Sequence, residues 1–206
     1  MKLYYAPGAC SLSPHIVANE LGVAFELEKV DNKAKRTASG RDYWQINPKG
    51  YVPALELDNG EVLTEGPAIV QYLADQKPTA GLAPANGTFA RARLQEMLGY
   101  INSEIHKTYS PLFKAEIPAE TRSERLAYLQ RRYEFIEKIL AKQEWLVGDR
   151  FTVADAYLFT VTRWADGVKL DLSAFPVLRK FQQRIAARPS VQAALAAEGL
   201  TKQKAA

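Results

Sequence analysis

At 206 residues, 47% hydrophobic and 24% charged, the chain has the make-up of an ordinary folded globule, long enough for one large domain or two small ones without covalent staples. A formal net charge of +4 with no long basic run suits small anionic ligands and argues against nucleic acid, and no stretch approaches the roughly 18 apolar residues of a membrane span. One cysteine and two histidines exclude an intrachain disulfide framework and a cysteine-rich metal site, which together with an N-terminus lacking a signal-peptide core leads us to expect a cytoplasmic protein without a metal.

Lys2 to Tyr5 is a short β-prone run ended by the turn residues Ala6-Pro7-Gly8, and Cys10 follows at once. Ile16, Val17 and Leu21 then recur at helical spacing until Gly22, and Pro14, tolerable only in a first turn, sets the helix start near Ser11 or Ser13. Cys10 thus lies at a helix N-terminus, where amide dipoles are expected to lower a thiol pKa. Phe25 to Val30 alternates as a second strand, completing a βαβ unit. The polar run 31–37, with Lys33, Lys35 and Arg36, reads as a loop, and Tyr43-Trp44 as a short helical piece.

Residues 47–73 hold a turn, a hairpin and a helix start in succession. Ala54 to Leu57 and Glu61 to Leu63 are strand-like, Asp58-Asn59-Gly60 between them tolerates a tight hairpin, and Pro53 stands at the strand mouth. Glu65-Gly66-Pro67 opens an amphipathic helix whose N-terminal amides can hold a carboxylate. Residues 77–87 are rich in breakers and read as a linker, after which only helical patterns follow.

A helix is predicted over Thr88 to about Thr108. At 100° per residue, Leu94, Leu98, Ile101 and Ile105 form a core stripe within about 40°, and Gly99, Ser103, His106 and Lys107 make the opposite, polar face. Leu126, Leu129, Tyr133, Ile136 and Leu140 mark the next helix. Thr152 and Asp155 have the spacing of a reciprocal cap ahead of a central helix over Val153, Tyr157, Val161, Trp164 and Val168, and Val177, Leu178, Phe181 and Ile185 mark another before Arg188-Pro189. His15 reads as structural.

Several of these stretches resemble one family. Met1 to Ser11, Val52-Pro53-Ala54-Leu55, Thr64-Glu65-Gly66, Ile69 to Asp75 and Trp145 to Asp155 are similar to bacterial beta-class glutathione S-transferases, and the likeness runs almost to the chain's end. It implies an α/β thioredoxin-like, glutathione-binding N-terminal domain (1–79) with a four-stranded mixed sheet, a linker (80–87) and an all-α C-terminal domain (88–206) forming the electrophile site. It implies glutathione as co-substrate, a hydrophobic electrophile as second substrate, a homodimer, and a cis Val52-Pro53 bond whose valine backbone pairs with the cysteinyl part of glutathione. Cys10 would face the glutathione sulfur, His106 would polarise that thiol and Lys107 add positive charge. Tyr5 and Ser11 stay open as alternative donors to the thiolate.

By the same resemblance Lys35 binds the glycine carboxylate, with Lys33 or Arg36 as substitutes. Glu65 and the Gly66 amide take the γ-glutamyl carboxylate, and Ser103 and Glu104 reach glutathione across the dimer. Gly99 holds the place of an asparagine that touches glutathione in relatives, so that side-chain contact is lost. Tyr51 replaces a common glutamine, and Gly66 replaces a serine. Thiol–disulfide exchange through Cys10 is a second expected chemistry, and a noncatalytic carrier of hydrophobic ligands the alternative function.

Overall fold

The computed structural model describes residues 1–201, and these fall into two compact units, one built from Met1–Ala80 together with the segment from Ala187 onward, the other from Gly81–Ala186. In the first unit strand β1 (Lys2–Tyr5) leads through helix α1 (Leu12–Leu21) to β2 (Glu26–Asp31), which pairs with β1 in parallel. Helix α1 stops as expected at Gly22, whose φ of 63° lets its N–H reach the last turn's carbonyls. Strands β4 (Ala54–Glu56) and β5 (Val62–Thr64) form the expected hairpin, and β4 lies antiparallel to β1. Helix α2 (Gly66–Gln76) then closes the N-terminal run.

The sheet has five strands rather than four. Strand β3 (Arg36–Thr37), inside the stretch read as a loop, pairs with β2 to give the order β3-β2-β1-β4-β5. The Asp31 carboxylate takes the amides of Lys33 and Ala34, both at 2.8 Å, and turns the chain back on itself. A two-residue edge strand needs no apolar alternation, so its polar residues gave no signal.

The last helix, α9 (Pro189–Ala197), packs on α1, so the helical domain expected over 88–206 gives up its C-terminal segment to the first unit. Asn19 donates to the Ser190 carbonyl at 3.2 Å, and Glu20 receives Arg188 and the Ser190 hydroxyl. Val191, Ala194 and Leu195 supply the buried face. Two aliphatic residues, Val191 and Leu195, among alanines make a faint pattern in the sequence.

In the second unit, α3 (Phe89–Tyr100) continues as a π-helical segment (Ile101–His106) and then α4 (Lys107–Tyr109), instead of one uniform helix. The Lys107 N–H donates to the Asn102 carbonyl five residues back. Leu94, Leu98, Ile101 and Ile105 are buried, as their spacing implied. Helices α5 (Ala119–Leu140) and α6 (Val153–Thr162) both pack on α8 (Pro176–Ala186), and the central helix expected to run through Trp164 and Val168 is divided after Thr162, those two residues falling in the short α7 (Trp164–Val168). Asp155 completes the expected cap: its buried carboxylate accepts from the Thr152 N–H and hydroxyl, both at 2.8 Å, and from Leu146 N at 2.9 Å. Burial outweighs these three donors and raises its pKa to about 6.

Candidate functional site

Cys10 lies between the Ala6–Ala9 turn and the start of α1, half-buried, and its thiol donates to the Val52 carbonyl at 3.2 Å. The Val52-Pro53 bond is cis. Burial pushes the thiol up to about 12, with the nearby Glu65 charge adding to it, although the amides of Cys10 and Ser11 pull it down. The expected lowering at the helix N-terminus is therefore reversed: desolvation of the thiolate exceeds what two amides return. Ser11 is fully buried, and its hydroxyl donates to the Ala6 carbonyl while accepting from the Ala6 N–H, both at 3.2 Å, so it serves the turn. Tyr5 is half-buried, and burial followed by the Glu198 charge raises its pKa, which keeps the phenol protonated at neutral pH.

The turn before Cys10 is braced by the returning C-terminal segment. Glu198 is buried, accepts from the Gly8 N–H at 2.8 Å with one oxygen, and meets Nδ1 of buried His15 at 2.8 Å with the other. His15 is structural, as its position in α1 suggested. Sequence reasoning assigned Glu198 nothing, and a partner 183 residues away leaves no local pattern to read.

Of the candidate cations in the 31–37 run, Lys35 turns toward the loop that leads into Val52, donating to the Gly50 carbonyl at 2.7 Å. Lys33 is exposed, and Arg36 donates to the Gly40 carbonyl at 3.0 Å. Glu65 precedes α2 with φ 70° and ψ 112°, and its carbonyl accepts from Ala68 and Ile69. Lys49 reaches the Glu65 carboxylate at 2.8 Å and the Thr64 hydroxyl at 2.9 Å. Lys35 and Glu65 are two of the three non-glycine residues with positive φ among the described residues. Such backbone costs of order 1–3 kcal/mol and persists where surrounding structure imposes it, often at binding sites.

In the helical unit, Gly99, Ser103 and Lys107 are exposed and His106 is half-buried. The Ser103 hydroxyl donates to the Gly99 carbonyl at 3.0 Å. Glu104 is held within its own unit by the Tyr128 hydroxyl and by Arg132 at 3.6 Å. The Tyr157 hydroxyl donates to Asn102 Oδ1 at 2.9 Å and lies 2.6 Å from His106 Nδ1. The Tyr157 hydroxyl thus ties the imidazole to Asn102 and fixes the orientation of the ring. The sequence pattern marks Tyr157 only as one residue along the central helix. Beside the imidazole, Trp164 meets His106, Tyr109 and Phe113 edge-on at centroid distances of 4.9, 5.5 and 5.3 Å. Phe113 is 55% exposed, so an apolar, aromatic surface adjoins the histidine.

Comparison with known proteins follows the same division. Residues 1–75 match the family described as glutathione S-transferase, N-terminal domain, and residues 100–189 the one described as glutathione S-transferase, C-terminal domain. The chain is 48% identical to a protein of Escherichia coli O157:H7 named glutathione S-transferase GstA, over 97% of this chain and 100% of that one. Among solved structures, a beta-class glutathione S-transferase from Sphingomonas chungbukensis superposes with a TM-score of 0.95 at 47% identity, covering 98% of this chain and 100% of the other. A sphingomonad glutathione S-transferase complexed with glutathione gives 0.94 at 45% identity, with coverage of 98% and 100%.

Proposed function

Since the chain belongs to the glutathione S-transferase family, as a bacterial beta-class member that joins the glutathione thiolate to electrophiles, we propose that it holds glutathione through the main chain of Val52, the Lys35 ammonium and the helix start at Glu65 and Gly66. Val52 pairs with the cysteinyl part, Lys35 with the glycine carboxylate, and the amides at the start of α2 with the γ-glutamyl carboxylate. Cys10 faces the glutathione sulfur as a neutral thiol. His106 polarises and orients the glutathione thiol, and Lys107 adds positive charge. Ser103, Glu104 and the Gly99 backbone complete the set, the first two toward glutathione on the other subunit of a homodimer.

The observation that carries this reading is the Cys10 sulfur 3.2 Å from the Val52 carbonyl, a thiol at the mouth of the loop assigned to the cysteinyl group. Lowering a thiol pKa from 8.5 to 6.5 takes about 2.7 kcal/mol of differential stabilisation, within reach of a few hydrogen bonds to charge. With the ionised sulfur in place, attack falls on a carbon of the second substrate. The surface of Trp164 and Phe113 beside His106, backed by buried Tyr109, favours flat aromatic electrophiles. Thiol exchange through Cys10 is the weaker chemistry, because a thiol raised to about 12 is scarcely ionised at neutral pH. The carrier alternative has no observation of its own.

We also assign the protein to the cytoplasm. A single cysteine fits a reducing compartment, and among the described residues no helix is long and apolar enough to cross a membrane. Isothermal titration with glutathione tests the binding assignments. Lys35→Ala weakens binding about tenfold or more, whereas His106→Ala lowers kcat with a smaller effect on affinity. Unchanged affinity in Lys35→Ala would overturn the assignment of Lys35. Sedimentation giving the mass of one chain would overturn the dimer.

A further inference from the structure

The Lys35 ammonium is gripped from three sides by a separate stretch of chain. Its Nζ donates to the Gly50 carbonyl at 2.7 Å and lies 5.6 Å from the ring centroids of both Trp44 and Tyr51. The backbone beneath is pinned as well: Lys35 N donates to the Asp31 carbonyl and Lys35 O accepts from Tyr43 N, each at 2.8 Å, at a φ of 54° that non-glycine residues rarely take. The loop supplying Gly50 and Tyr51 is fixed in turn, since the Tyr51 carbonyl accepts from the Tyr43 hydroxyl at 2.9 Å and the Asn47 amide at 2.6 Å. A Cβ on Gly50 would stand 2.4 Å from a Trp44 ring carbon, so glycine there is what lets the indole lie down on the loop.

Both rings nevertheless remain open to solvent, Trp44 47% and Tyr51 73% exposed. Trp44 also packs on the loop at Gly50, whereas Tyr51 has little cover; what the two rings share is the Lys35 ammonium within 5.6 Å of both centroids. An ammonium carries three donors, of which Gly50 takes one. A free lysine would lose the rotamer freedom of its long stem on meeting a ligand, and here that ordering is already in place.

We propose that Trp44 and Tyr51 are positioning residues that hold the Lys35 ammonium ready for a peptide carboxylate, so that the enzyme selects thiol peptides ending in a free carboxylate. This deepens, and rests on, the assignment of Lys35 to the glycine end of glutathione. The rings act through the lysine and need not touch the reacting sulfur. Their removal therefore moves the KM of carboxylate-bearing peptides and leaves kcat at saturation in place.

The test is steady-state kinetics of the full-length enzyme with one activated aryl halide and two thiol peptides, glutathione and its glycine monoethyl ester. Wild type is expected to favour glutathione by about tenfold or more, and Lys35→Ala to abolish that preference. Trp44→Ala and Tyr51→Ala each raise the KM for glutathione about 2–5-fold, and the double variant about 5–20-fold, with the KM for the ester unchanged. Trp44→Phe and Tyr51→Phe, which keep a π face, restore most of the preference, and they carry the test should an alanine variant fail to fold. If Lys35→Ala loses the preference while the aromatic variants keep it, or if they shift both peptides equally, the inference is overturned and the role of Lys35 stands. If Lys35→Ala keeps the preference, the assignment of Lys35 fails and the inference with it.

Discussion

Alkylation of Cys10 across pH separates a reactive nucleophile from a neutral hydrogen-bond donor. With a pKa of about 12, about one molecule in 100,000 carries the thiolate at pH 7, against about 3% for a free thiol near 8.5, a deficit of about 3,000-fold in the attacking species. The cause is local: the sulfur is withdrawn from water, the Glu65 charge opposes ionisation, and the S–H already has an acceptor in the Val52 carbonyl. Because the chain has one cysteine, the rate of its modification by iodoacetamide, followed by intact mass, reports this site alone. Partial burial slows the reaction at every pH, so the slope is the diagnostic quantity. The logarithm of the rate should rise by about one per pH unit up to pH 10 without levelling, and Cys10→Ala should retain conjugation within about tenfold while any disulfide reduction disappears. A plateau below pH 8 would refute the reasoning, since it would mean that helix amides outweigh burial after all. The linkage has a definite sign. A pKa raised in the folded state contributes stability that is complete below about 8.5 and is lost as pH rises toward about 12.

Four further outcomes concern stability. Asp155→Ala strips the buried Thr152 and Leu146 amides of their acceptor and should cost about 3–4 kcal/mol in urea unfolding; a loss below about 1 kcal/mol would contradict the capping role. Because its folded pKa of about 6 lies above the ordinary carboxylate value, wild type should lose about 3 kcal/mol relative to Asp155→Asn between about pH 4 and pH 6, and a pH-independent difference would argue against it. Glu198→Ala takes the Glu198 carboxylate from buried His15 and from the Gly8 N–H, for a cost of about 1–3 kcal/mol, while Glu198→Gln, which keeps an acceptor, should cost clearly less; equal losses would remove the bracing role. Burial raises Tyr43, Tyr100 and Tyr133 to about 12, so absorbance at 295 nm should show them still protonated at pH 11 in the folded protein, with stability falling as pH climbs from about 10 to about 12. Complete titration near pH 10 without unfolding would contradict their burial.

Much of the candidate site could be read in the chain because its chemistry is local. The hairpin over 54–64, the helix opening at Glu65-Gly66 and the Thr152–Asp155 cap depend on neighbours within a few positions, and so did the motifs that carried the family resemblance. The core stripe of α3 survived even though the helix widens at Ile101–His106, because all four residues still face inward. The partners of those residues were less accessible. That Tyr157 orients His106, and that Trp44 and Tyr51 flank Lys35, follows from side chains meeting across elements, with no repeat in the sequence to mark them.

What the sequence determined by itself, then, were the elements whose stability comes from spacing: strand, turn, cap and amphipathic stripe, together with the residues that could do chemistry. Tertiary structure alone decided the fifth strand, the return of α9 to the first unit, the Glu198–His15 brace and the state of the Cys10 thiol. Each of these depends on which distant groups exclude water from, or donate to, a given atom. A pKa or a buried hydrogen-bonded pair is a property of that surrounding space, and the space exists only once the chain has folded.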